Sequence, residues 1–270
     1  MRRISALLAA MVAAVILAAV PAHAGRSCEA VPPKAAAIER GLRLAQRTHE
    51  ALEAAHARDG TQAVVLARAG QDLTKYGLRY SHLGLAWRTR DAQGRAAWHV
   101  LHKLNACGTA EAAIYRQGLG EFFLDDLWRY EAAWAVPRRD VQDRLVALLA
   151  DDARAVRLHH RPYSIVSYGW GRKYQQSNQW AVETLAAALD PSVDSRERAQ
   201  DWLQRNGYQP SVLRLGPLTR LGGRLSAANV AFDDHPVDKR YADRIETVTV
   251  DSVFAWMERS GLGTAPVRLQ

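Results

Sequence analysis

Two residues in this chain have types and settings that could do chemistry, one as a general base and the other as a nucleophile. His82 lies in Ser81–Arg88 (SHLGLAWR), where Leu83, Leu85 and Trp87 alternate with His82, Gly84 and Ala86. On a strand, that alternation sends the two sets to opposite faces. The face carrying His82 otherwise holds only small residues, which leaves room for another element over the imidazole, as a general base needs. Ser177 lies in Gln175–Glu183 (QQSNQWAVE), where a helix is expected to start. A nucleophile there gains from the positive end of the helix dipole and from free backbone N–H groups that can hold an oxyanion. Each residue also has a plainer reading. His82 can be a satisfied strand histidine, and Ser177 an ordinary N-cap.

Which later histidine shares the face of His82 depends on loop parity. Arg95–Leu104 (RAAWHVLHKL) alternates again, and Asp91-Ala92-Gln93-Gly94 is turn chemistry, so the two runs read as a hairpin. An even-length loop places His99 on the same face as His82, and an odd one places His102 there. The even register also gathers Trp98 and Val100 with Leu83, Leu85 and Trp87. That register is expected.

The elements that must position these groups follow from periodicity. Lys34–Arg58 reads as an amphipathic helix with Ile38, Leu42, Ala45, His49 and Leu52 on one face, stopped by Asp59-Gly60. Ala63–Ala69 reads as a short apolar strand. The second half reads as mainly helical, over Gly120–Ala135, Val141–Leu149, Asn178–Leu189, Ser195–Asn206 and Ser252–Ser260. Between these, Arg161–Tyr174 (RPYSIVSYGWGRKY) is an aromatic, glycine-bearing loop. Tyr208–Leu221 reads as extended, Gly222-Gly223 as a turn and Arg244–Val250 as a strand. The expected class is α+β, an antiparallel sheet packed on helices.

The amino terminus has the grammar of export. Arg2 and Arg3 precede an apolar run from Leu7 to Val20, and Pro21-Ala22-His23-Ala24 ends in the small-x-small pattern of a cleavage site. Residues 1–24 are therefore expected to be a signal peptide, and 25–270 a single mature domain that is exported, periplasmic or secreted. Arg2 and Arg3 leave with the signal, lowering the formal charge from +8 to +6. The basic excess is spread out with no Lys/Arg block, so nucleic acid is not an expected partner. No later segment is long and apolar enough to predict membrane insertion. Cys28 and Cys107 are the two cysteines, and in an oxidising compartment they are expected to pair. Closing so long a loop would stabilise the fold by about 4 kcal/mol in the chain-entropy model.

Phe232-Asp233-Asp234-His235-Pro236 could orient a base or bind a cation, but reads first as an Asx-type turn before Pro236. No glycine-rich phosphate loop, zinc-spaced set or G-x-S-x-G elbow occurs, so no metal or cofactor is expected.

A strand with Ser-His-Leu-Gly-Leu, a hairpin partner and a much later aromatic loop leading into a helix resembles the circularly permuted, NlpC-type papain-like fold. The lecithin–retinol acyltransferase group is among its relatives. The resemblance spans about Ala63 to Leu189, leaving 190–270 as an extension. It implies that His82 is the base, His99 the orienting group and Ser177 the replacement for the family's cysteine. It implies further that Gln176, Asn178, Gln179, Trp180, Tyr168 and Trp170 line a substrate groove. Over nearly the whole mature chain, YSIVSYGWGRKYQQSNQWAVETLA, FDDHP and TVTVDSVFAW resemble an uncharacterised bacterial family (DUF2145).

Two functions are then expected. One is a non-catalytic protein that binds a cell-envelope peptide, lipid or protein in the groove. The other is a serine-variant amidase, peptidase or acyltransferase. The first leads, because a serine needs tighter activation than a cysteine and nothing beside Ser177 supplies it.

Overall fold

The computed structural model describes residues 32–125 and 127–270. The predicted signal peptide and Cys28 lie outside the described residues.

The chain builds the expected α+β fold. Eight strands form between Ala63 and Leu269: β1 (Ala63–Ala69), β2 (His82–Arg90), β3 (Ala96–Asn105), β4 (Ala112–Gly118), β5 (Arg129–Ala135), β6 (Ser211–Arg214), β7 (Arg244–Thr247) and β8 (Val267–Leu269). Six of them make one antiparallel sheet in the order β4-β3-β2-β1-β5-β8, and β6 and β7 make a separate ribbon. The helices are α1 (Ala35–Asp59), α2 (Leu119–Phe123), α3 (Arg139–Leu149), α4 (Asp152–Val156), α5 (Ser177–Leu189), α6 (Arg196–Arg205), α7 (Pro217–Ser226), α8 (Val237–Tyr241) and α9 (Val250–Arg259).

The sheet is buried on both faces. Val64, Leu66, Ala86, Trp98, Val100 and Trp134 meet α1 and α2 on one side. Val65, Ala67, Leu83, Leu85, Trp87 and Leu101 meet α3, α5 and α9 on the other. Residues beyond 190 share this second core through Leu203, Tyr208 and Trp256, and β8 extends the sheet along β5.

Two departures from the sequence reading have separate packing causes. Gly120–Ala135 is not one helix: α2 ends at Phe123 and β5 pairs along β1. Its Ala132, Ala133, Trp134 and Ala135 are all buried, so the strand shows no polar–apolar alternation to read. Helix α1 buries Gly41, Leu44, Ala45, Thr48, Leu52 and Ala55 and exposes Ile38 and Leu42. Close approach sets this rotation, since a Cβ on Gly41 would stand 2.8 Å from the Phe123 carbonyl oxygen.

The hairpin takes the odd register. Arg90 pairs with Ala96, which leaves a loop of five residues, Asp91–Arg95. The Asp91 carboxylate accepts hydrogen bonds from the backbone N–H groups of Gln93 and Arg95, and Gly94 adopts a φ of 76°. The apolar gain argued for the even register disappears because Trp98 and Val100 have a core of their own on the α1–α2 side.

Further along, β4 forms an edge strand that the sequence did not announce. Helix α7 runs through Gly222-Gly223, which had read as a turn, and starts with Pro217 in its first turn, where a missing N–H costs nothing.

A histidine relay and an apolar cleft as candidate sites

The odd register corrects the histidine pairing. His82 is bonded to His102, Nε2 to Nδ1 at 2.9 Å, and His102 Nε2 lies 2.8 Å from Gln117 Oε1. An amide oxygen only accepts, so His102 Nε2 carries a proton. A neutral His102 therefore accepts at Nδ1, and His82 donates from Nε2. His99 points to the opposite face, its ring edge-on to Trp87 at 5.6 Å. It orients nothing at His82.

Both relay rings are held neutral. Burial, with the Arg68 guanidinium adding to it, holds His82 well below the usual imidazole range. Burial and Arg68 likewise lower His102 to about 4. Arg68 itself is buried, donates to the Phe122 carbonyl and pairs with Asp125. Phe122 covers both imidazoles, at 6.0 Å from His82 and 5.1 Å from His102. The room that small residues leave over His82 is thus filled by a phenylalanine. Gly84 makes this possible, since a Cβ there would stand 2.3 Å from Val100 Cγ1 and 3.2 Å from Phe122 Cε2.

Ser177 belongs to the other side of the sheet. It opens α5, whose Trp180, Ala181 and Leu185 pack into the second core. The helix is capped by Gln176, whose side-chain oxygen accepts from the Asn178 N–H at 3.0 Å. Ser177 is therefore not the cap. Its hydroxyl is buried and lies 3.4 Å from the hydroxyl of buried Tyr163. No hydrogen bond joins Ser177 to His82. The pair expected from the papain-like resemblance is split between the two faces of the sheet.

The other expected groove residues divide. Gln176 and Asn178 line a cleft of about 730 Å³. Gln179 is turned into the loop instead, accepting from Ser167 Oγ and donating to the carbonyls of Tyr168, Gly169 and Gly171. Trp180 is fully buried. Tyr168 packs against His235 and Trp170 against Tyr208, and neither lines the cleft.

Asp233, Asp234 and His235 act as a clip on the same loop. Asp234 Oδ2 accepts from the Tyr168 N–H at 2.8 Å, Asp233 pairs with Lys173, and His235 Nε2 donates to the Val166 carbonyl. The segment does turn, through the His235 N–H to the Phe232 carbonyl, but its carboxylates reach across to the 166–173 loop and do not make the local bond of the expected Asx-type turn. Among the described residues no group of three or more His, Cys, Asp or Glu side chains is placed to hold a metal ion.

A buried polar network fixes the start of α5 from below. Glu183 is fully buried and receives the guanidinium of Arg196, along with Gln175 and Gln200. Gln175 also accepts from Lys103 Nζ at 2.8 Å, and burial lowers Lys103 to about 7. Arg196 donates onward to the carbonyls of Gly171, Arg172 and Tyr174. One carboxylate thereby ties the irregular loop to α5 and α6.

The cleft runs between residues 70–81 and the β6–β7 ribbon. Leu73, Tyr76 and Tyr80 line one wall, and Leu213, Leu215 and Phe232 the other. At its base, Gln176 donates to Thr247 Oγ1 and the Val248 carbonyl, while Asn178 bridges the Ser81 carbonyl and the Leu83 N–H. These amides hold the walls together with their hydrogen bonds already used. Among the described residues neither histidine nor cysteine lines the cleft, and the titratable groups that do are Asp72, Lys75, Tyr76 and Tyr80.

Sequence reasoning missed this space because its walls come from segments without periodicity. The only advance sign was apolar residues inside loops, such as Leu73, Tyr76 and Phe232.

Fold and site together describe an α+β protein with a sealed histidine relay on one sheet face and an open apolar cleft beyond the other. The chain belongs to a family of uncharacterised proteins conserved in bacteria (DUF2145), whose model matches residues 55–257. No curated protein and no solved structure matches it.

Proposed function

We propose that this chain is an exported, non-catalytic binding protein whose cleft holds the acyl chain of a cell-envelope lipid. The carrying observation is the cleft itself: about 730 Å³, walled by leucine, valine and aromatic side chains, with neither histidine nor cysteine among its described lining residues. Ligand sites are commonly apolar concavities of this size with a few polar groups. Acyl-chain burial supplies binding energy in proportion to area, and the amides at the base make no demand for a particular headgroup.

Catalysis is disfavoured by position. The expected base, His82, faces Phe122, and Ser177 has a tyrosine hydroxyl as its neighbour. Export is supported by the arginine pair, apolar run and small-x-small site of residues 1–24. An oxidising compartment in turn supports a Cys28–Cys107 bridge, and no described cysteine is free.

Titration with cis-parinaric acid tests the binding reading. Saturable fluorescence enhancement is expected for the wild type and its loss for L213W/V230W, which fills the cleft. Equal enhancement in both, or none in the wild type, would refute it.

A further inference from the structure

Helix α7 is amphipathic in the wrong sense for a buried element. Leu218, Leu221 and Leu225 recur at i, i+3 and i+7 and form one stripe. They are 84%, 54% and 80% exposed, and α7 buries none of its residues. The opposite face carries Thr219 and Gly223, which line the cleft. The helix thus turns small and polar groups inward and leucines outward. A contiguous exposed apolar patch on a monomer is often a functional surface.

Charge around the stripe identifies the partner. Arg224 lies on α7 beside Leu221, and Arg214 precedes the helix on β6. Both are exposed, and neither makes an ion pair among the described residues. Arg220 anchors the helix by donating to the Leu215 carbonyl and to Asp243 Oδ1. That anchor brings the end of α8 alongside, with Tyr241 77% exposed and Arg244 next to Asp243. Arg244 is paired with Arg214 across the ribbon. Of the nearby carboxylates, Asp243 is engaged by Arg220 and Glu246 by Lys239, leaving Asp238 exposed. Arg244 also reaches Glu246 at 3.8 Å, so of the three Arg214 and Arg224 are the arginines without an ion pair among the described residues. A leucine stripe with an aromatic and such arginines at its margin has the pattern of a helix lying in a membrane interface.

We propose that the outward face of α7 docks on an anionic lipid bilayer, with its three leucines in the headgroup–acyl boundary and Arg214, Arg224 and Arg244 on lipid phosphates. A second copy fits the stripe poorly, because two-fold pairing would bring the two arginine sets together with little acid to offset them. Docking would turn the inner face of α7, and with it the cleft, away from the lipid, leaving the cleft one helix from the bilayer surface. The inference rests on the outer face alone and does not require the cleft to be filled.

Co-sedimentation with vesicles tests it, using the full chain and variants with an identical amino terminus. Binding is expected to phosphatidylglycerol/phosphatidylcholine vesicles and to be at least about tenfold weaker to phosphatidylcholine alone. L218D/L225D is expected to abolish binding while keeping the wild-type circular dichroism spectrum, since both leucines are exposed. R214Q/R224Q should weaken binding to anionic vesicles by about tenfold or more. Absent wild-type binding, or binding unchanged in L218D/L225D, would overturn the proposal. So would a dimer that L218D/L225D dissolves in a protein that ignores vesicles, which would assign the face to a second copy.

Discussion

His82 donates from Nε2 to Nδ1 of His102, 2.9 Å away on the neighbouring strand, and Phe122 covers both rings. The pair has the hydrogen-bond order of a base and its orienting group. Phe122 occupies the space over the pair, and burial lowers the pKa of both imidazoles, which ties the pair to the pH dependence of stability.

The pH dependence follows from the direction of the shifts. His102 titrates at about 4 when folded, against 6.5 for an unperturbed histidine. The unfolded chain therefore takes the proton first as pH falls. The contribution is fully present above pH 6.5, declines between 6.5 and 4, and levels off below. For a gap of that size the loss is about 3 kcal/mol. His82 shifts in the same direction and adds to it. Urea denaturation at pH 7.5 and 4.5 should show the loss, and His102→Gln should flatten the dependence.

Gly84→Ala is expected to destabilise by about 1–3 kcal/mol, because the new methyl group enters a space already occupied by Val100 and Phe122. Thermal unfolding measures this. Gly94→Ala is a useful contrast, because no atom lies within 4 Å of a Cβ there and any cost would come from its positive φ alone.

Glu183→Ala should cost about 3–5 kcal/mol, since it leaves Arg196 and two amides without their shared acceptor in the interior. The loop over 163–176 should loosen first. Hydrogen exchange at Gly171 and Gln175 reads that out directly.

A fluorophosphonate probe should leave the wild-type protein unlabelled, because Ser177 is buried beside Tyr163 and has no imidazole within hydrogen-bonding distance. Labelling that disappears in both Ser177→Ala and His82→Ala would contradict the non-catalytic reading.

The parts of this fold legible in advance were those with a local cause. The α1 stop at Gly60, the β2–β3 hairpin and the start of α6 behind Ser195 follow from turn and cap chemistry. The hairpin's parity was not legible, because His99 and His102 are both compatible with alternation and only tertiary packing chooses between them. β5 was hidden because a strand buried on both faces loses its period. The cleft was hidden for a related reason: its walls meet across more than a hundred residues of chain, from Leu73 to Leu215. Ser177 shows how local signals mislead. Its position at a helix start was correct, yet capping falls to Gln176 and the histidine lies beyond the sheet.

Native mass spectrometry of the protein recovered from a bacterial envelope tests the central claim most directly. The account predicts a co-purified adduct with the mass of an acyl lipid on the wild type, released by organic extraction and absent from L213W/V230W. A wild-type protein without an adduct, or an adduct that survives equally in the cleft-filled variant, would contradict it.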